Sequence, residues 1–264
     1  MDNPVLWALC ATLVTWGVTA LGAGVVLFFK KTDEKWLNLT LGFAAGVMIA
    51  ASFWSLLDPA INRAKESLST PAWLVATVGF LCGAVFLWLS DKAVRSCRKK
   101  ADKNSGDRFS RMVLLVLSIT LHNVPEGAAV GVAFGALAGD SSPETVAGAV
   151  TLALGIALQN FPEGAAVALP LYREGCGRGR SFLIGQASGM VEPIAGVVGA
   201  LLVTKVAAAL PFALSFAAGA MILVAVHELI PECQQNKEAH PYFATAGIVG
   251  GFALMMLLDV ALGG

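Results

Sequence analysis

Charged residues are scarce in this sequence: they make up 14% of the chain, whereas 56% of the residues are hydrophobic. Soluble globular proteins carry about 25% charged residues, so this composition excludes a sizeable water-soluble domain. It is typical of a chain that crosses a lipid bilayer many times. Because the formal net charge is zero and no soluble segment remains, a nucleic acid is not expected as a partner.

Cysteine is scarce too, which limits the kinds of metal or redox site the chain can hold. The five cysteines are odd in number and form no CxxC pair, which argues against a disulfide framework and a cysteine zinc site. No positively charged segment precedes the first apolar run. We therefore interpret Met1 to Phe29 as an uncleaved first helix and not as a signal peptide.

Eight apolar stretches are long enough to cross a bilayer, which takes about 20 helical residues. They predict an all-α, polytopic membrane protein in one transmembrane domain over residues 1–264. Numbered as spans 1 to 8, they cover residues 4–29, 37–57, 72–90, 112–138, 145–171, 181–204, 208–231 and 242–261. Residues 91–111 are polar, basic and without hydrophobic periodicity, so we interpret them as a mobile cytoplasmic loop.

The positive charges are distributed unevenly among the connections. Fifteen of the eighteen Lys and Arg residues follow odd-numbered spans. The positive-inside rule assigns those connections to the cytoplasm and both termini to the other side. This predicts a multi-pass protein of the cell (inner or plasma) membrane. Whether it forms a homodimer is left open by the sequence.

Two short sequences recur within the spans. LHNVPEGAAV at 121–130 and LQNFPEGAAV at 158–167 agree at eight of ten positions, and FAAGVMI at 43–49 resembles FAAGAMI at 216–222. The two members of each pair lie in spans of opposite direction. This predicts an inverted repeat, with spans 1–3 mirrored by 6–8 and span 4 by span 5. Secondary transporters are often built this way, with a site at the midplane. Chance similarity is the alternative for the second pair.

The first pair places charge and proline near the middle of the bilayer. Glu126 follows Pro125, and Glu163 follows Pro162. Ionisable residues at that depth cost roughly 2.5–3.5 kcal/mol each by insertion scales and indicate function by default. Each proline withholds an N–H and is expected to kink its helix, which frees a carbonyl one turn earlier. Such backbone is tolerated where it lines a cavity or packs against protein.

Polar neighbours complete a candidate metal site. His122 shares a helix face with Glu126, and Gln159 lies one turn before Glu163. Further candidates at this depth are Asn123, Asn160, Glu192 of span 6 and Met48 of span 2. Such a mixed nitrogen, oxygen and sulfur set suits Zn²⁺ better than Mg²⁺ or Ca²⁺. The same residues could instead relay protons or only bond to one another.

The paired motifs HNVPEG and QNFPEG, in a chain of eight spans with external termini, resemble the ZIP (Zrt-, Irt-like) family of divalent metal transporters. The second motif lacks histidine and is similar to the GufA branch. The resemblance implies a binuclear centre at the midplane, with Glu126 and Glu163 bridging or sharing the ions. The other implied ligands are His122, Gln159 and Met48 at the first position and Asn123, Asn160 and Glu192 at the second. It also implies transport toward the cytoplasm by an elevator-like motion of one helix bundle against another.

The sequence departs from that family in two places. Residues 91–111 contain no histidine, where many members carry a histidine-rich loop, which puts metal sensing by this segment in question. Asn160 stands where some members have aspartate, and a neutral amide weakens the second position. His227 and Glu228, near the cytoplasmic end of span 7, are candidates for an exit path or for a helix cap. Asp58 is a candidate for the entrance, although an interfacial acid needs no special role.

We therefore predict a transporter and not an enzyme. It would import Zn²⁺ or the related ions Cd²⁺, Fe²⁺, Mn²⁺ and Co²⁺ as bound substrates, with no catalytic cofactor, and its partners would be these ions and the lipid bilayer. Two alternatives are a membrane-embedded metal-dependent hydrolase and a proton-coupled carrier of an organic solute. The inverted repeat favours transport over hydrolysis because alternating access uses that symmetry.

Overall fold

The computed structural model of the protein describes residues 3–28, 34–105, 108–173, 175–234 and 242–262, and all regular structure in these ranges is helical. The α-helices are α1 (Pro4–Phe28), α2 (Glu34–Ala51), α3 (Asp58–Ser67), α4 (Ala72–Ser105), α5 (Arg108–Gly135), α6 (Pro143–Arg173), α7 (Arg178–Ser188), α8 (Val191–Lys205), α9 (Leu210–Val224), α10 (Ile230–Cys233) and α11 (Phe243–Leu262). Two π-helical segments, Ser52–Leu57 and Ala225–Leu229, continue α2 and α9. The all-α prediction is confirmed.

The helices have the length and composition of a polytopic membrane protein. Among the described residues, seven helical segments are long and apolar enough to cross a bilayer, and they correspond to spans 1 to 3 and 5 to 8. Helix α5, which carries the first PEG motif, is not one of the seven. The number eight therefore stays a prediction, whereas the membrane class is confirmed.

Residues 91–111 differ from the expected irregular loop. Helix α4 continues to Ser105 and α5 begins at Arg108, so most of this segment is helical. The segment lacks an apolar face, yet its alanines, lysines and arginines are good helix formers. Hydrophobic periodicity reports which face of a helix is buried, so its absence did not exclude a helix here.

The helices pack in four close pairs that follow the predicted inverted repeat. Helix α1 lies along α6 and α5 along α8, while α2 lies along α11 and α4 along α9. When spans 1–3 are exchanged with spans 6–8 and span 4 with span 5, the pair α1–α6 becomes the pair α8–α5. The same exchange turns the pair α2–α11 into the pair α9–α4. We call α1, α5, α6, α7 and α8 the carboxylate bundle, and α2, α3, α4, α9, α10 and α11 the apolar bundle.

Glycines fix these pairs by letting backbones touch. A Cβ at Gly46 of α2 would lie 2.1 Å from the carbonyl oxygen of Ile248, and one at Gly219 of α9 would lie 1.9 Å from that of Phe80. These glycines occupy the same position in the two FAAG segments. Among the described residues, every glycine whose added Cβ would come within 3 Å of another helix's backbone faces a helix of its own bundle. Small residues thus bind each bundle internally.

The FAAG segments also share an irregularity further along the chain. Each leads into a π-helical segment, and a proline lies two residues after the last residue of that segment, Pro59 in one half and Pro231 in the other. A proline lacks the N–H of a helical turn and its ring crowds the carbonyl one turn earlier. A wide π turn accommodates both effects. Because both halves have a π-helical segment followed by a proline at the same position, the FAAG similarity is not chance.

Two cavities lie at the boundary between the bundles. One, of about 500 Å³, is lined by apolar side chains that include Ala128 and Val198 of the carboxylate bundle and Ala213 of the apolar bundle. The other, of about 570 Å³, is lined partly by polar side chains, among them Asp58 and Glu144. Both cavities therefore have walls from the two bundles.

Candidate metal centre

Most of the predicted ligands lie together in the carboxylate bundle. Helix α5 carries Asn123 and Glu126, α6 carries Gln159, Asn160 and Glu163, and α8 carries Glu192. All of these side chains are buried except that of Glu163, which is half-buried. Met48 lies on α2, fully buried in the apolar bundle. His122 lies on α5, but its side chain is outside the described part of the structure.

The glycine of each PEG motif explains how these helices come so close. A Cβ at Gly127 would lie 2.4 Å from the backbone oxygen of Glu192, and one at Gly164 would lie 2.1 Å from that of Thr19. Each motif thus places its glutamate next to a backbone contact with another helix. Pro125 and Pro162 lie inside helices that remain continuous, so the prolines do not interrupt α5 or α6.

Amides from α6 bind two of the three carboxylates. The Gln159 Nε2 donates to Glu126 Oε1 over 2.8 Å. The Asn160 Nδ2 donates to both carboxylate oxygens of Glu192, over 3.0 Å each. The charge of Glu163 interacts with those of Glu126 and Glu192. We group the two amide–carboxylate pairs with Glu163, which lies one turn after Gln159 on α6, as one polar cluster.

Several oxygens of this cluster lack a hydrogen-bond donor. Four buried oxygens of the cluster have no hydrogen-bond partner within the described part of the chain: Glu126 Oε2, Gln159 Oε1, Asn160 Oδ1 and Glu163 Oε1. Leaving a buried acceptor unsatisfied costs about 1–3 kcal/mol, more if it is charged. Among the described side chains, no group of three or more His, Cys, Asp or Glu residues is arranged so that it could hold a metal ion. An ion bound here would therefore use the amide oxygens as well as the carboxylates.

Asn123 makes a contact that its prediction as a ligand did not include. Its Nδ2 donates over 2.8 Å to the carbonyl of Ser188, the last residue of α7. The chain is irregular here, because the N–H of Glu192 bonds to the oxygen of Gly189 over 3.0 Å. Asn123 thus stabilises the junction that precedes Glu192. Its role as a ligand stays a prediction.

Helix α1 supplies two hydrogen-bond donors to Glu192 that the prediction from the sequence did not include. Thr15 Oγ1 donates to Glu192 Oε2 over 2.5 Å, and Thr19 Oγ1 donates to Glu192 Oε1 over 3.3 Å. Both threonines are buried, as is Thr12. The signal was present in the sequence, because positions 12, 15 and 19 lie on one face of an otherwise apolar span.

The predicted exit residues lie in the π-helical segment after α9. His227 Nε2 is 3.8 Å from Asp91 Oδ2 of α4, and the charge of Glu228 interacts with that of Glu163. The two predicted exit residues therefore interact electrostatically with Asp91 of α4 and with Glu163 of the candidate centre. Asp91 was missed because the sequence assigned it to a loop.

The predicted entrance residue, Asp58, is exposed, and two other acidic residues line the same cavity. It lines the polar boundary cavity together with Glu144 and Asp259. Ser55 Oγ donates to Asp259 Oδ1 over 2.6 Å in the wall of this cavity. Asp58 is thus one of three acids around a cavity between the two bundles.

Known proteins resemble this chain over nearly its whole length. The family model described as ZIP zinc transporter matches residues 5–112 and 102–259. The chain is 38% identical to zinc transporter ZIP11 of Xenopus tropicalis, with 99% of the chain and 98% of that protein aligned. It is 38% identical to zinc transporter ZIPB of Bordetella bronchiseptica (93% and 78% aligned) and 36% identical to zinc transporter GufA of Myxococcus xanthus (97% and 98%).

Proposed function

The chain belongs to the ZIP zinc transporter family, and from this premise we propose that it moves Zn²⁺ and related divalent ions across the membrane into the cytoplasm. The GufA relative supports a place in the GufA-like branch. The observation that carries the proposal is the set of four buried, unpartnered oxygens on α5 and α6. A bound cation would satisfy all of them, and their mixture of carboxylates and amides would leave it free to dissociate.

The centre holds two ions in this proposal. Gln159 with Glu126 forms one half, and Asn160 with Glu192 forms the other. Glu163 interacts with both acids, which supports a shared role between the two positions. The first position also takes His122 and Met48, and the second takes Asn123. A first position with imidazole, thioether and oxygen ligands favours Zn²⁺ and its borderline neighbours Cd²⁺, Fe²⁺, Mn²⁺ and Co²⁺.

Alternating access follows from the division into two bundles. Of the proposed ligands, only Met48 lies in the apolar bundle, so the ions travel with the carboxylate bundle when it slides. The internal glycine contacts keep each bundle rigid, and the cavities at the boundary leave it free to shift. Ions enter by way of Asp58 and leave by way of His227 and Glu228. Both termini lie outside the cytoplasm in this arrangement.

The amides favour ion transport over the rival functions. A relay that handled only protons would need the carboxylates but not the amides, whereas the unpartnered oxygens of Gln159 and Asn160 are neutral ligands for a cation. A hydrolase would need a substrate cleft at an open metal position, and the inverted repeat of helix pairs would have no use in it.

The direct test is zinc uptake by proteoliposomes that contain a zinc-sensitive dye. We expect flux from the wild type and a loss of at least about 10-fold in Glu163→Gln, which removes the shared charge. Glu66→Gln is the matched control, because Glu66 is exposed on α3 away from the centre. Absence of flux in the wild type, or equal flux in both variants, would overturn the proposal.

A further inference from the structure

We infer that Thr15 and Thr19 of α1 are positioning residues, which hold Glu192 for the second ion and release it when that ion binds. The inference rests on the proposed function. Glu192 differs from the other two acids of the centre because both of its oxygens receive hydrogen bonds. Glu126 and Glu163 each keep an unpartnered oxygen.

Three side chains donate to Glu192, and two of them come from α1. The Thr15 hydroxyl is 2.5 Å from Oε2, the Thr19 hydroxyl is 3.3 Å from Oε1, and the Asn160 amide is 3.0 Å from both. Hydrogen bonds to an ionised acceptor are about twice as strong as neutral ones. The wholly buried carboxylate is therefore kept in one orientation by α1 on one side and α6 on the other.

Each of these donors also has a second acceptor within reach, on the backbone of α1. Thr15 Oγ1 is 3.0 Å from the oxygen of Thr12, and Thr19 Oγ1 is 3.3 Å from that of Thr15. Asn160 Nδ2 is 3.1 Å from the same oxygen of Thr15. A hydroxyl carries one proton and donates to one acceptor at a time. Each hydroxyl can thus turn from Glu192 to the backbone without losing its acceptor, and Asn160, whose amide has two N–H groups, keeps its contact with the Thr15 oxygen.

This arrangement lowers the free-energy cost of releasing Glu192 from its donors. If the donors had no other acceptor, an ion that took the carboxylate would leave buried hydroxyl and amide groups unpaired, at the usual cost of a stranded donor. Here the ion takes the carboxylate while the threonines and Asn160 bond to α1. The second position can therefore fill and empty repeatedly, as a carrier requires.

The position of α1 is fixed independently of these hydroxyls. Gly164 lets α6 touch the backbone of α1 at Thr19, and Trp16 Nε1 donates to the backbone oxygen of Gln186 over 2.9 Å. Removing a hydroxyl should therefore alter the hold on Glu192 and leave the helix in place. Thr12 is a matched control, because among the described residues its hydroxyl bonds only to the backbone oxygens of Ala8 and Leu9.

The test is equilibrium dialysis of the purified full-length protein with Zn²⁺, combined with the KM for zinc uptake. We expect two ions per chain in the wild type and in Thr12→Val. In Thr15→Val the second ion should bind about 10- to 100-fold more weakly, the usual effect of losing a group that orients a ligand. Thr19→Val should show a smaller loss, and the Ser variants at both positions should restore the second ion.

Each outcome decides between the two claims. No zinc binding and no uptake by the wild type would overturn the proposed function. If the wild type binds two ions and both Val variants bind them equally well, only the role of the threonines is overturned. The same conclusion follows if the Val and Ser variants lose the second ion equally. A single ion in the wild type would also overturn that role. If Thr15→Val fails to fold, Thr19→Val against Thr19→Ser gives the same decision.

Discussion

The carboxylate bundle and the apolar bundle are built by the same rule but filled with different side chains. Both consist of helix pairs in which glycines bring backbones into contact, as at Gly131 in one and Gly83 in the other. Their largest fully buried side chains differ: Glu126, Gln159 and Glu192 are among those of the first, whereas those of the second are apolar and include Met48 and Met221. Glycine packing therefore sets the architecture, and buried polar residues assign the function to one bundle.

The largest effect should come from removing a carboxylate and comparing it with the methionine across the boundary. Glu126→Ala removes a proposed ligand and leaves the Gln159 amide without its acceptor. We expect zinc affinity, measured by equilibrium dialysis, to fall about 100-fold. Met48→Leu keeps the volume and removes the sulfur, and should lower affinity by less than about 10-fold. Equal losses of zinc affinity in the two variants would contradict the expectation that the carboxylate bundle contributes more to zinc binding than the apolar bundle.

The two positions of the centre should also differ from each other. His122 and Gln159 occupy the same place in the two motifs, but imidazole is a stronger ligand for Zn²⁺ than an amide oxygen. We expect His122→Ala to weaken zinc binding more than Gln159→Ala. Calorimetric titration of both variants with Zn²⁺ measures the order, and the reverse order would assign the tighter position to α6.

The shared packing rule predicts similar damage in both bundles. A Cβ at Gly131 would lie 2.0 Å from the oxygen of Gly196, and one at Gly83 would lie 1.9 Å from that of Phe216. Gly131→Val and Gly83→Val should each destabilise the protein by about 1–3 kcal/mol through overpacking. Thermal unfolding in detergent measures the effect. Gly148→Ala is the control, because nothing lies within 4 Å of a Cβ there, and a control as unstable as either variant would contradict the rule.

The smallest effect should come from a partly exposed contact that joins the bundles. Arg63 of α3 forms an ion pair with Asp140, beside Thr145 at the start of α6. Hydrogen bonds from Thr145, from the Ser142 backbone and from Arg63 hold the pKa of Asp140 below its usual value. The stabilisation is therefore fully present above about pH 4 and is lost only as the pH falls below that value.

Arg63→Gln tests this contact. An exposed ion pair contributes about 0.2–1 kcal/mol, so we expect a slightly lower midpoint of thermal unfolding at pH 7 and nearly unchanged zinc affinity. Lys65→Gln, on the exposed face of the same helix, is the matched control. A large fall in affinity would show that the boundary and the centre are coupled more tightly than the separate bundles imply.

Much of the architecture could be predicted because it is encoded locally. Apolar runs and the distribution of basic residues predict a polytopic membrane protein, and the PEG and FAAG pairs predict the inverted repeat that the helix pairs follow. The helical structure of residues 91–105 and 108–111 could not be predicted from periodicity, because a helix outside the core needs no apolar face. The π-helical segments were also missed, since each is linked to a proline two residues after its end and not to any hydrophobic periodicity within it.

The candidate site could be predicted from the sequence only where single residues are unusual for a membrane helix. Glu126, Glu163 and Glu192 are conspicuous because a buried acid is rare in a membrane helix. Thr15 and Thr19 are common residues in such helices, and only the approach of α1 to Glu192 gives them a role. The contact of Asn123 with Ser188 depends on the junction between α7 and α8, which the sequence predicts as one continuous span.

Anomalous scattering from a zinc-soaked crystal tests most directly whether the ions belong to the carboxylate bundle. The account predicts two zinc peaks, with Glu126 and Glu163 at about 2.0–2.2 Å from zinc and Glu192 at the same distance from one of the ions. Met48 would be the sole ligand from the apolar bundle. Zinc peaks without a ligand from these three glutamates would contradict the account.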